Sequence, residues 1–434
     1  MTALLALELR TQWRQGIPAV ILGLAAIWSG LVALWPPAAP YVIFVDTVTV
    51  GTLYAGALTI SDRATGIDAA LAVTPTRAFA RVAARIVPLT VVTTAGAALI
   101  QKSLTALPAV ALSCVLLLGV AMAVAARRDG FVAFMVALPL PMVLLLAVPL
   151  AVSIGLLHGP LWYAVPTTGA LELIIDPHRP QPAALAYLAL VAAVAAGVAA
   201  RRPGSIGRRA KTAVDLPVVI ALSPLLLALA LRFGWPPFAA WFRATRGVDL
   251  APYGPVLAIG AVAVHVPMSF GMTGALVILD DLEDGALRIV HTSPLGIPRY
   301  LARRLVAVTL LSAAGLAVAA PLSGLVPASA TAAIALAVPV APLVTVATLA
   351  VARTRVQGAT ADKVLAVPVY LPIAGWWLSG ATGWWLAPLP TYWIVRTWDA
   401  TGPPEALVGL AVLAGWLVPL TGTALRRLTQ RSGP

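Results

Sequence analysis

Two ionisable side chains fall inside long apolar runs: Asp46 in YVIFVDTVTVG (41–51) and His265 in AVAVHVPMSFG (261–271). A charge-bearing group in such a setting is costly to bury and is a functional candidate by default, either contacting a solute or meeting a local partner. Met268 and Phe270, close to His265 in sequence, have the soft and aromatic character of an apolar pocket lining. Charge is densest in ILDDLEDGALRIVHTSPLGIPRYLARR (278–304), where Asp280, Asp281, Glu283 and Asp284 make up a quarter of the sixteen acids. Acids followed by Gly285, Pro294 and Arg304 suit a docking element rather than a reaction centre. Catalysis has no matching constellation. His158, His178, His265 and His291 are scattered without metal-ligand spacing. There is no G-x-S-x-G elbow and no G-x-x-x-x-G-K-[ST] phosphate loop.

The elements that must carry these residues follow from composition. The chain has 434 residues, 60% hydrophobic and 10% charged, with mean hydropathy +0.95. So little polar surface cannot cover a soluble core, and the apolar residues come in blocks long enough to cross hydrocarbon. The reading is an all-α polytopic membrane protein, since an isolated helix satisfies its own backbone in lipid. Twelve spans are expected, at 18–35, 41–60, 83–100, 108–126, 131–157, 183–200, 216–231, 253–279, 305–322, 329–351, 364–381 and 405–425. Pro139, Pro141 and Pro149 should kink or break the fifth. MTALLALELRTQWRQG, at the start, reads as an amphipathic helix on the membrane face. With both termini on one side, 23 of the 29 Lys and Arg lie in loops on that side. The positive-inside bias makes it cytoplasmic. The net charge of +13 is thereby explained without nucleic acid, and the expected site is a plasma (cytoplasmic) membrane.

A shift of 219 positions lays ISDRATGIDAALAVTPTRAFARVAARIV (60–87) on residues 279–306 without a gap. Asp62 meets Asp281, Gly66 meets Gly285, Pro75 meets Pro294 and Arg85 meets Arg304. A weaker echo pairs YAVPTTGALELI with APLPTYWIVRTW. Two six-span halves are therefore expected, 1–201 and 202–434, joined through RRPGSIGRRAK (201–211) and parallel because six is even. Each repeated loop reads as a short cytoplasmic helix with acids at its start, where the helix dipole favours them. The Gly permits a tight turn and the Pro ends the segment. Asp46 and His265 are also 219 apart, so they should face each other across a pseudo-twofold axis if those spans line a pathway. Glu172 and Asp176 in ALELIIDPHRP read as a solvated outer loop, and the tryptophans of GWWLSGATGWWLAP as an interfacial belt.

An acid, a Gly, a hydroxyl-Pro pair and a basic residue entering the next span resemble the first cytoplasmic loop of type-2 ABC-transporter permeases. The resemblance extends to the amphipathic start, the six spans and an outer segment before the last span, here 158–182 and 382–404. The family pattern has Thr after the Gly, where this chain has Ile67 and Ala286. The resemblance implies that Asp62, Gly66, Pro75 and Arg85, and Asp281, Glu283, Gly285, Pro294 and Arg304, belong to coupling helices. These would dock on separate cytoplasmic ABC ATPase subunits, two copies, which carry ATP and Mg. This chain would bind no cofactor and catalyse nothing. A complete permease in one chain would then export amphipathic, drug-like small molecules, with Asp46, His265, Met268 and Phe270 along the substrate pathway. A major-facilitator-type, proton-coupled transporter and ABC export of lipid or glycan remain the alternatives. The four acids of the second loop, against Asp62 alone in the first, suggest a stronger grip on the second side.

Overall fold

The computed structural model describes residues 2–34, 36–67, 70, 74, 76–101, 103–128, 130–178, 181–201, 215–378, 380–398 and 403–432. Among the described residues every regular element is a helix, so each apolar segment satisfies its backbone internally. The chain forms two compact units, Met1–Thr212 and Ala213–Pro434. The expected joint lies almost wholly outside the described residues, from 202 onward.

The first unit opens with α1 (Thr2–Arg14) and α2 (Ile17–Leu34). The next span is composite: a turn at Ala39–Val42, a π-helical turn at Ile43–Thr47, then α3 (Val48–Ala64). α4 (Ala78–Ile100) and α5 (Leu107–Ala125) follow. The fifth segment is α6 (Phe131–Ala137) and α7 (Pro139–Ser153). Leu138 between them keeps helical angles (φ −61, ψ −41). Pro139 and Pro141 have no N–H to donate, so the ladder is interrupted while the path stays helical. A 3-10 turn (Pro160–Ala164), α8 (Pro166–Ile175) and α9 (Pro182–Ala200) complete the unit.

The second unit repeats this order. It runs through α10 (Asp215–Arg246), a π-helical turn (Ile259–Val264) and α11 (His265–Glu283). A seven-residue α12 (Ala286–Thr292) leads into α13 (Gly296–Ser323). α14 (Thr331–Ala337), α15 (Val340–Val351), α16 (Arg355–Tyr370), α17 (Pro390–Arg396) and α18 (Pro403–Ser432) follow. The most extensive packings correspond within the two units. α5 packs on α3 and α9 as α15 packs on α11 and α18, and α2 packs on α4 as α10 packs on α13. Small residues allow these approaches. A Cβ on Gly271 of α11 would fall 2.4 Å from the Ala341 carbonyl oxygen, and one on Gly119 of α5 3.0 Å from the Ala196 nitrogen.

Ten helices among the described residues are long and apolar enough to cross a membrane, where twelve spans are expected from the sequence. The segment at 18–35 contains the shorter apolar helix Ile17–Gly30. The segment at 364–381 is not one helix. α16 starts earlier, at Arg355, and passes at Leu371 into 3-10 turns (Leu371–Trp376), because Pro368 and Pro372 donate no backbone hydrogen bond.

Candidate functional site

The acids of the repeated loop lie at the end of one helix rather than at the start of another. Asp62 is in the last turn of α3, and Asp280, Asp281 and Glu283 are in the last turn of α11. This corrects the expectation from the dipole: a helix C-terminus disfavours negative charge. Basic partners therefore have to compensate it, and the structure supplies them within each unit.

Each helix ends the same way. Gly66 and Gly285 take left-handed angles, φ 75 and φ 77, which a residue with a Cβ adopts only under strain. Their N–H groups reach the carbonyls of Arg63 and Leu282, each at 3.3 Å. Beyond Gly285, α12 runs to Thr292, and Ser293 turns extended (φ −83, ψ 160), as a residue before proline prefers. Pro294 thus ends the short helix, and its carbonyl accepts from Arg299 at 3.2 Å. Its counterpart Pro75 lies outside the described residues.

The acid and the arginine 23 residues later close on each other in both units. Arg85 of α4 pairs with Asp62, and also with Glu8 of α1 at 2.6 Å. Arg304 of α13 pairs with Asp281 at 2.8 Å, and Tyr300 donates its hydroxyl to the same carboxylate. α1 thus contributes an acid that helps neutralise Arg85. The remaining acids of the second loop share another partner. Arg355, at the start of α16, meets Glu283 at 2.5 Å, Asp280 at 2.7 Å and Asp284 at 3.6 Å. Burial opposes its charge, and the Coulomb pull of these three acids raises its pKa above the ordinary arginine value. The first unit makes the same connection with uncharged acceptors. Arg63 of α3 donates to the carbonyls of Ala125 and Arg128 at 3.1 and 2.9 Å. The acid asymmetry between the loops is thus matched by an internal exchange: Arg63 on backbone in one unit, Arg355 on acids in the other.

The two intramembrane candidates occupy corresponding breaks in regular helix. Asp46 lies inside the π turn Ile43–Thr47, and His265 immediately follows the π turn Ile259–Val264. Such turns recur at functional sites because they widen the helix and re-aim a side chain. The indole of Trp28 donates to the Asp46 carboxylate at 2.6 Å. His265 Nδ1 bonds the Tyr370 hydroxyl at 2.7 Å, with Ser269 Oγ 3.4 Å from Nε2. Met268 and Phe270 are buried in the core of the second unit. A Cβ on Gly315 would touch the Phe270 ring, so in this structure both residues pack.

Sequence reasoning missed Glu8, Tyr300, Arg355, Trp28 and Tyr370, which hold the chosen residues in place. It also missed a bond made twice. Thr167 of α8 donates to the Leu145 carbonyl at 2.6 Å, and Thr391 of α17 to that of Val369 at 2.8 Å. Both positions are displaced by 224, and the PT dipeptides 166–167 and 390–391 were the available signal. Among the described residues no cluster of His, Cys, Asp and Glu could hold a metal ion.

Residues 214–425, just under half of the chain, match a family model described as "Fluoroquinolones export permease protein Rv2686c-like". The match covers nearly all of the second unit. No curated protein and no solved structure matches the chain.

Proposed function

We propose that this chain is the membrane-spanning permease of an ATP-driven exporter of amphipathic small molecules, with fluoroquinolone-like drugs among its substrates. The observation that carries this reading is the similarity of residues 214–425 to a fluoroquinolone export permease family. The repeated loop supports extending it to both halves. ATP and Mg act on separate cytoplasmic ABC ATPase subunits, two copies, one at each loop. Both termini are cytoplasmic in this reading, which rests on the distribution of Lys and Arg.

The loop geometry supplies a means of transmission. A helix that docks on a moving partner transfers force only if it is tied to the spans behind it. Asp62 with Arg85, and Asp281 with Arg304, join the ends of two consecutive spans at the loop. Arg355 fastens the end of α11 to the start of α16. Closure of the ATPase dimer would thus move the helix ends together, as a shear of packed helices. Asp46 and His265 are the proposed pathway residues, with Met268 and Phe270 as packing behind them. Expression of the chain together with its ATPase should lower fluoroquinolone accumulation in cells. Equal accumulation with and without the pair would count against export of this class.

A further inference from the structure

Asp46 differs in its partners from every acid at the loop ends. Asp62, Asp280, Asp281 and Glu283 each meet an arginine. Asp46 lies within the candidate span Pro36–Arg63, about 15 Å along the helix from Pro36 at 1.5 Å per residue. Among the described residues it pairs with no Lys, Arg or His, and its side-chain partner is the neutral indole of Trp28, at 2.6 Å. One indole N–H leaves most of a carboxylate's charge and acceptor capacity unused. The nearby hydroxyl of Thr49 is turned to backbone, to the carbonyls of Val45 and Asp46 at 2.5 and 3.1 Å. Asp46 and Trp28 are both only partly buried. An uncompensated carboxylate in an apolar span, held by an aromatic ring that is itself attractive to cations, has the chemistry of an ammonium site.

The corresponding position in the second unit lacks that character. His265, Tyr370 and Ser269 form a set of hydrogen-bonding groups without a carboxylate among them.

We propose that Asp46 and Trp28 form a recognition site for the protonated amine of an amphipathic substrate. The carboxylate provides the charge, and the indole fixes the carboxylate and offers its ring face. This inference rests on the reading of the chain as an exporter of amphipathic compounds, and it names the charge class that such an exporter selects.

The test is direct binding to the full chain in lipid nanodiscs without any ATPase, using tetraphenylphosphonium and its anionic isostere tetraphenylborate. The wild type should favour the cation. Asp46→Asn should weaken cation binding about tenfold, equivalent to about 1.4 kcal/mol, and leave the anion unweakened. Asp46→Glu should retain cation preference. Trp28→Phe keeps a ring and removes the N–H, so a smaller loss is expected, and it carries the test if Asp46→Asn does not fold. Equal losses for cation and anion would show a merely structural acid, and unchanged binding of both a hydrated one; either result overturns the proposal. Because binding is read without ATP, intact cation selectivity in a chain that fails to couple to an ATPase would count against the ATP-driven reading and leave the site standing.

Discussion

Arg355 and Arg304 hold acids at the same loop but in different surroundings. The Arg355 side chain is 6% exposed and that of Arg304 is 42% exposed. Removing the first leaves Asp280 and Glu283 without a cation in a poorly hydrated place. Arg355→Ala should therefore lower stability by about 3 kcal/mol, the low end for a buried pair because the acids stay partly hydrated. Arg304→Ala should lower it by about 1 kcal/mol or less. Thermal unfolding in detergent orders the two, and equal shifts would mean that burial does not set the strength of these pairs. The same partners change what the second loop's acids are expected to do. Glu283 is engaged by Arg355 through both its carboxylate oxygens, so Glu283→Gln should reduce stability before it affects a partner. Asp284 is 65% exposed and 3.6 Å from Arg355, which makes it the acid most available for docking. Asp284→Asn should weaken ATPase binding in a pull-down while leaving the unfolding temperature unchanged.

At the level of elements, the sequence repeat was readable where the two halves keep step and hidden where they do not. From Asp62 to Arg85 and from Asp281 to Arg304 the spacing is identical, and the ion pairs close identically. α13 has 28 residues and α4 has 23, and the five-residue difference moves the register from 219 to 224. The 3-10 turns Leu104–Ala106 and Ala328–Ala330, like Thr167 and Thr391, correspond only in the later register. Helix type was legible because apolar length alone dictates it in lipid. The partners of the candidate residues were not, because Glu8 lies 77 residues from Arg85 and Tyr370 lies 105 from His265. The π turn Ile259–Val264 had no signal either, since its residues IGAVAV read as ordinary apolar helix. Close helix approach gives an element-scale prediction. Gly271→Ala places a Cβ 2.4 Å from a backbone oxygen of α15 and should destabilise by about 2 kcal/mol through overpacking. Gly197→Ala in α9 meets nothing within 4 Å and should be neutral or stabilising by up to about 1 kcal/mol. A chemical or thermal unfolding midpoint for each variant decides it, and matching shifts would contradict the packing described for α11 and α15.

For the whole molecule, the apolar bulk, the basic bias of one set of loops and the clamped loop in each unit fit one mechanical scheme. In that proposal, work done on a cytoplasmic partner would reach the spans through the Asp–Arg pairs, and substrate would meet side chains at the π turns. In the proposed scheme the +13 charge would serve orientation in the membrane, and the two loops would serve coupling. The proposed scheme places the source of energy on a separate ATPase subunit. The most direct measurement is therefore made on the purified chain together with its candidate ATPase. The two proteins are co-purified, reconstituted into liposomes, and assayed for ATP hydrolysis across a panel of amphipathic drugs that includes a fluoroquinolone. A stable complex whose hydrolysis rises several-fold with drug, and loses that rise in Asp62→Asn with Asp281→Asn, is the predicted result. A chain that purifies alone and moves the same drugs on a proton gradient without ATP would contradict it.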